Sequence, residues 1–388
     1  MNLSEYFRPL DEDLIRSYAR PEAKQIGRLA AIHSSTFPEL AAAEIVLIGM
    51  DEDRGGKEVQ GTALGPDLIR KQFYKLIIPH EHTQIADLGN LLKKDTMISA
   101  YDQLSEVTWE LIRRGKTVII LGGSQDIAYG QYLAYSKQNK KVEYVTVDSD
   151  LDLQDSDFGI NNHSFNHKIL LHSPNYLFNF VNLGYQSHFV AVDDRKRMKN
   201  LYFPAIRLGE LREDLREAEP YLRNADLLSI DMSAIRSGDA PGSSRPSPAG
   251  FTTEEICQLM RYAGMSHKLS SISICETNPL RDFNEQTTLM AAMMLWYFLD
   301  GFYSRKEDEP LDLKSLTRYR TGLHEGKHEM VFYKNEKTSR WWMEVPFPDS
   351  LGNGDGKFRL QPCSEKDYLL AQNNEIPERW WFCHHKLR

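Results

Sequence analysis

Cysteine is scarce in this chain. Its four cysteines, Cys257, Cys275, Cys363 and Cys383, form no Cys-x-x-Cys pair and no even framework spacing. That excludes a disulfide scaffold and a thiol-redox or zinc motif, and it leaves four reduced packing residues in what reads as a cytoplasmic protein. Positive charge is also in deficit: 47 Lys and Arg against 55 Asp and Glu give a formal net charge of −8. Such a balance argues against a nucleic-acid groove or an anionic membrane surface as the main partner. No apolar run approaches the roughly 18 residues needed to cross a bilayer. Met1–Arg8 has neither the basic start nor the apolar core of a signal peptide. Gly122-Gly123 opens a turn, but no Gly-Lys-Ser/Thr or Gly-x-Gly-x-x-Gly follows, which excludes a phosphate loop.

What the chain does have is apolar residues, 41% of the total, in an alternating rhythm. The short runs Glu44–Met50, Gln84–Leu88, Thr117–Leu121, Val142–Asp148, Ser187–Val192, Ala225–Asp231 and Ser270–Glu276 read as strands. Helical patterns cover Gly65–Lys75, Met97–Arg114, Ile127–Gln138, Leu211–Leu222, Thr253–Met265 and Asn284–Tyr303. Nearly continuous apolar strands alternating with helices predict an α/β fold, a parallel sheet covered on both faces. This rhythm occupies residues 41–305. Residues 1–40 read as a largely helical N-terminal arm. Residues 306–388 form a C-terminal extension rich in Lys, Glu, Pro and Gly, with a turn-prone Leu351–Gly356. The extension repeats Arg-Trp-Trp at Arg340–Trp342 and Arg379–Trp381. Those tryptophans either fold back over the core or offer a protein interface, because Trp and Arg supply a large share of binding hot spots.

In open parallel sheets, sites form at the carboxyl ends of strands. Here Thr117–Leu121 runs into Gly122–Asp126, Val142–Val147 into Asp148, Asp150 and Asp152, the next strand into Asp231 and Ser233, and the last into Glu276–Pro279. One polar strand end is explained equally well by turn chemistry; four in register point to a site. In an extended backbone Asp148, Asp150 and Asp152 share one face. Carboxylates that close together need a cation, a proton or strong donors.

These segments resemble the signatures of the ureohydrolases, the family of arginase, agmatinase and formimidoylglutamase. Gly122–Asp126 is similar to Gly-Gly-x-His-Asp/Ser, Asp148–Asp152 to Asp-Ala-His-x-Asp, Ser229–Ser233 to Ser-x-Asp-x-Asp, and Glu276–Pro279 to Glu-x-Asn-Pro. Gly61–Arg70 and the Pro/Gly-rich Ala240–Phe251 resemble two further family segments. The resemblance spans residues 44 to 303 and implies a three-layer arginase-type fold, a mostly parallel eight-stranded sheet, and often a homo-oligomer. It also implies two Mn²⁺ ions bridged by a hydroxide that attacks a guanidino or formimino carbon. Carried over, one metal falls to Gln125, Asp148, Asp152 and Asp231, and the other to Asp148, Asp150, Asp231 and Ser233. His163 matches the proton-shuttling histidine, and Glu276 the carboxylate that receives the substrate's cationic head; a loop histidine and a strand-end hydrogen-bonding residue are the plainer alternatives.

The family has His at the positions of Gln125 and Asp150, and Asp at Ser233. Imidazole suits Mn²⁺ and later transition metals, whereas amide, hydroxyl and carboxylate oxygens favour harder ions. Losing a supporting partner of a ligand alone costs roughly 10–100-fold in affinity or activity. The sequence therefore predicts a degenerate site with no metal or a single Mg²⁺, Ca²⁺ or Mn²⁺. The leading expectation is a catalytically inactive homologue acting as a binding or assembly protein through residues 306–388, with a pocket for a guanidino or amino-acid ligand. The alternative is an active hydrolase of linear amidine C–N bonds using an oxygen-ligated metal, with His163 and Glu276 catalytic.

Overall fold

The structure, a computed structural model, describes residues 1–11, 14, 24–57, 60–155, 159–306, 313–323, 328–346 and 358–388. The expected turn at Leu351–Gly356 lies outside the described residues. Ten strands form the main sheet: β1 Phe7–Arg8, β2 Ala31–Ile32, β3 Ile45–Gly49, β4 Ile85–Leu91, β5 Thr117–Leu121, β6 Val142–Val147, β7 Leu177–Tyr185, β8 Ala205–Arg207, β9 Leu227–Asp231 and β10 Ser271–Cys275. Eight of them run parallel in the order β4-β3-β5-β10-β9-β6-β7-β8.

Side chains alternate across this sheet, and each face meets its own helices. Ile45 and Leu47 of β3 and Ile119 and Leu121 of β5 join one core, with the helices Gly65–Phe73, Thr253–Gly264 and Gln286–Tyr303. Val46, Ile48, Val118 and Ile120 face the other way, toward the helix Met97–Arg113. Burial on both faces is why these strands are apolar throughout. The helix Thr253–Gly264 starts on a reciprocal cap: the Thr252 hydroxyl accepts from Glu255 N–H at 3.2 Å, and the Glu255 carboxylate accepts from Thr252 N–H at 2.8 Å. Thr252→Ala removes one half of it and should cost about 1 kcal/mol in urea unfolding; an unchanged midpoint would mean that water replaces the cap without loss.

Two local expectations are corrected, and the N-terminal arm is described only in part. Residues 12, 13 and 15–23 lie outside the described residues; elsewhere in 1–40 Leu14 is helical, and a 3₁₀ turn, Leu3–Tyr6, and a short helical turn, Ile26–Leu29, accompany β1 and β2, which both pair with β4. Ser187–Val192 is no strand. The strand is Leu177–Tyr185, and residues 187–190 turn into the helix Val192–Asn200. Asn179, Asn182 and Gly184 interrupt the apolar pattern of β7, yet Asn179 accepts from Lys386 and the Asn182 amide nitrogen donates to the Asp150 carbonyl, so both side chains find partners beyond the strand. The single helix expected over Leu211–Leu222 is broken into Leu208–Glu213, a 3₁₀ turn Leu215–Ala218 and Glu219–Asn224. Extended Asp214 caps the 3₁₀ turn through Arg216 N–H, and Pro220 sits in the first turn of the last helix, the position proline tolerates best.

The C-terminal extension forms a second sheet, antiparallel, of β11 Thr317–Leu323, β12 His328–Lys334, β13 Trp341–Pro346 and β14 Phe358–Cys363, followed by the helices Glu365–Gln372 and Glu378–Leu387. Trp341 and Trp342 point to opposite faces of β13, and both are buried. Trp341 stacks on Tyr368, and the Arg223 guanidinium of the main domain covers Trp342 at 4.5 Å. The arginines of the repeated tripeptide clamp the extension to that domain, Arg340 through Glu219 at 3.1 Å and Arg379 through Glu217 at 2.9 Å, while Arg379 also pairs with Asp367 inside the extension. Of the four tryptophans, Trp381 is the exposed one, at 43%.

Candidate functional site

The site is built where β5, β6, β9 and β10 end. Gly123, just past β5, lies so close to the next loop that a Cβ there would come within 1.8 Å of the Glu52 carbonyl oxygen; only glycine fits. Its own carbonyl accepts from Glu276 N–H at 2.8 Å, which ties the β5 turn to the end of β10. Glu276 has a left-handed backbone, φ 65°, and so does Asp152, φ 48°. Non-glycine residues in that region cost of order 1–3 kcal/mol each and concentrate at functional sites.

Asp150 and Asp152 come together, not along an extended strand but through a loop that also carries Asp148. β6 ends at Val147, and the chain beyond it loops. The Asp148 carboxylate accepts from Asp150 N–H at 3.0 Å, and the left-handed turn at Asp152 brings its carboxylate back. Ligand atoms of Asp150, Asp152 and His163 lie within 4.8 Å of one another. Asp148 and Asp152 are fully buried, and one oxygen of Asp148 and both of Asp152 have no hydrogen-bond partner. Burial pushes both carboxyls well above the usual carboxylate range. The neighbouring carboxylates of Asp152 and Asp231 add to the rise at Asp148, and Arg245 opposes it at both.

The two substituted neutral positions sit at the edge of this cluster. Gln125 is buried, and its amide nitrogen donates to Thr146 at 3.3 Å and Ser229 at 3.4 Å, on β6 and β9; its carbonyl oxygen has no partner. Ser233 donates its N–H to Asp231 at 2.5 Å, and its hydroxyl meets Ser149 at 3.0 Å. Glu276 is saturated rather than open. It accepts from Gln125 N–H at 2.8 Å, from Asn162 at 3.4 Å and from the Ser244 hydroxyl. Burial, then the Asp231 charge, push its carboxyl up to about 8, against the pull of Ser244.

Arg245 was not among the residues singled out from sequence, and it reaches four of them. One guanidinium nitrogen donates to His163 Nδ1 at 3.3 Å and lies 3.7 Å from Asp150. The other lies 3.4 Å from Asp231 and 3.8 Å from Asp152. The loop Ala240–Phe251 holds it there: Ser244 N–H donates to the Glu276 carbonyl at 3.1 Å, and the Ser244 carbonyl accepts from Arg281 at 2.9 Å. A sequence signal existed. Arg245 is the sole basic residue of that loop, and a cluster of acids that has lost its imidazoles needs positive charge from somewhere.

Comparison with known proteins places this geometry. A model of the arginase family matches residues 43–300. Among curated relatives, the formimidoylglutamase of Staphylococcus haemolyticus is 27% identical over 266 residues, covering 65% of this chain and 85% of that protein. The formimidoylglutamase of Lysinibacillus sphaericus is 26% identical over 295 residues, covering 72% and 90%. Among solved structures, formiminoglutamase of Trypanosoma cruzi with Mn²⁺ superposes with a TM-score of 0.64 at 22% identity, covering 69% of this chain and 96% of that one. The formimidoylglutamase of Bacillus subtilis gives a TM-score of 0.66 at 19% identity, covering 74% and 94%. At that identity the structures carry the fold, an arginase-type α/β sheet. No helix among the described residues is long and apolar enough to cross a membrane.

Proposed function

The chain belongs to the arginase family, and within it we propose a ureohydrolase homologue that does not run binuclear manganese chemistry and serves as a binding or assembly protein. One observation carries this reading: the donor set does not suit a pair of transition ions. Gln125 replaces an imidazole with a neutral carboxamide, whose one ligand atom, the carbonyl oxygen, is a weaker and harder donor than the nitrogen it replaces. Ser233 replaces a bridging carboxylate with a hydroxyl that Ser149 engages. Asp150 is the third substitution, an oxygen ligand in place of nitrogen. The binding surface in this reading is the 306–388 extension, where Trp381 is left exposed on the last helix. We place the protein in the cytoplasm as a homo-oligomer.

A second reading is hydrolysis of a linear amidine C–N bond. The names of the curated relatives weigh toward this second reading rather than the first. The clustering of Asp150, Asp152 and His163 gives it a place for a single divalent ion, which would supply charge to activate water. In it, Asp231 completes the cage, and Glu276 receives the cationic head of the substrate.

Metal analysis and product assays separate the two. The first reading expects no stable pair of ions after dialysis against Mn²⁺, Ni²⁺ or Mg²⁺. It also expects no urea, formamide or ammonia above the blank from arginine, agmatine, guanidine or formimidoylglutamate. Turnover with one ion per chain, abolished by Asp231→Ala, establishes the second; two ions per chain with turnover overturn the first outright.

A further inference from the structure

The acidic cage contains a cation of its own. We propose that Arg245 is the resident counter-ion of the cage and that its guanidinium and a divalent metal ion exclude one another. The inference concerns what fills the cage and stands under either reading of function.

Geometry carries the argument. The two terminal nitrogens of Arg245 lie between 3.3 and 3.8 Å from groups of His163, Asp150, Asp152 and Asp231, which come from two loops and one strand end. A planar fork of donors suits such a spread of acceptors better than a point charge does. The three groups that cluster tightly enough to hold an ion, Asp150, Asp152 and His163, are all among those four. An ion there would need oxygens at about 2.0–2.6 Å on the same carboxylates the guanidinium faces. At a separation of ~4 Å its two charges would repel the guanidinium strongly in a partly buried setting. Both ions cannot occupy the cage.

The buried carboxylate of Asp152 faces this volume: its Oδ1 lies 3.5 Å from His163 Nδ1 and 3.8 Å from the Arg245 guanidinium. The backbone beneath Arg245 is fixed through Ser244 on Glu276 and Arg281, whereas its side chain is 22% exposed. An entering ion therefore has to displace Arg245 into solvent, and removing Arg245 makes room for the ion.

The test uses the full chain as wild type, Arg245→Ala, Arg245→Gln and Arg245→Lys, stripped with chelator and titrated with Mn²⁺. Bound ion is read from the free Mn²⁺ signal in electron paramagnetic resonance, and thermal midpoints are read in parallel. Arg245→Ala is expected to bind Mn²⁺ at least about tenfold more tightly than wild type. Its midpoint should be lowered without metal and raised by Mn²⁺, while that of wild type hardly moves. Should the Ala chain fail to fold without metal, Arg245→Gln removes the charge while keeping polar groups for the acceptors and is expected to bind Mn²⁺ more tightly than wild type, whereas Arg245→Lys, which keeps the charge, is expected to stay close to wild type. Equal Mn²⁺ affinity in wild type and in whichever uncharged variant folds overturns the inference. Product release measured on the same samples decides between the two readings of function and leaves the competition untouched.

Discussion

Replacing Arg70 with Met is expected to destabilise the protein by about 3–5 kcal/mol in urea unfolding, the cost of leaving one half of a buried ion pair. Arg70 is fully buried on the helix Gly65–Phe73 and grips Asp87 of β4 with two nitrogens, at 2.8 and 3.0 Å. It also reaches the Asn90 side chain at 2.5 Å, the Gly89 carbonyl at 3.1 Å and the half-exposed Asp67 carboxylate at 3.3 Å. Asp87 takes further bonds from Tyr74 at 2.6 Å and from Gly89 N–H at 2.9 Å. Met matches the aliphatic stem but gives Asp87 no partner charge, so the carboxylate stays buried at a cost. The double variant Arg70→Met with Asp87→Leu should recover part of the loss, because burying two apolar groups avoids the stranded charge. Recovery stops short of complete, since the Tyr74 hydroxyl then lacks its acceptor. A single-variant loss below about 1 kcal/mol would show that water reaches Asp87 and that the pair is not the anchor it looks to be. The consequence extends to the site, because Gly65 at the start of this helix packs beside the backbone of Thr277, next to Glu276.

Most of the main sheet could be read from the sequence because its strands obey one rule. β3, β5, β6, β9 and β10 are buried on both faces, so each is a mostly apolar, β-branched-rich run bounded by polar turns. The strand that escaped, β7, breaks that rule with Asn179 and Asn182, whose partners Lys386 and the Asp150 carbonyl lie far away in sequence. No local pattern reveals such long-range satisfaction of a polar group. β1, β2 and β8 escaped for another reason, since two or three residues each leave no periodicity to detect. The helix of residues 211–222 was overextended because an amphipathic pattern survives the breaks at Asp214 and Pro220. In the site, the strand-end acids were legible from spacing and order alone. Arg245 was not, because it sits in a loop without period and acts by charge. Gln125 and Ser233 were singled out through the family resemblance, and their present bonds to Thr146, Ser229 and Ser149 depend on which way each side chain turns.

Glu276 makes the pH dependence of stability a second large effect. Its carboxyl is pushed up to about 8 from an ordinary value of 4.5, first by burial and then by the Asp231 charge. The folded chain thus holds this proton more tightly than the unfolded chain does. The stabilisation is fully present below pH 4.5, declines as pH rises, and is gone above about pH 8. One group contributes at most about 1.4 kcal/mol per pH unit, so the whole window is worth roughly 4–5 kcal/mol as an upper bound. Glu276→Gln keeps an acceptor for Gln125 N–H and cannot ionise. In chelator, its unfolding free energy should fall less steeply than wild type between pH 5 and pH 8. Asp148 and Asp152, also raised, give both proteins a shared slope, and subtraction isolates Glu276. Parallel slopes would mean that Glu276 is ionised in the folded protein across this range. The result bears on function too: a carboxyl that is neutral at pH 7 holds a cationic amidine poorly, and a ligand that binds there must release the proton. Proton release on titrating agmatine or formimidoylglutamate into wild type at pH 7, absent in Glu276→Gln, is what a working cation pocket predicts; binding with no proton exchange would place the ligand elsewhere.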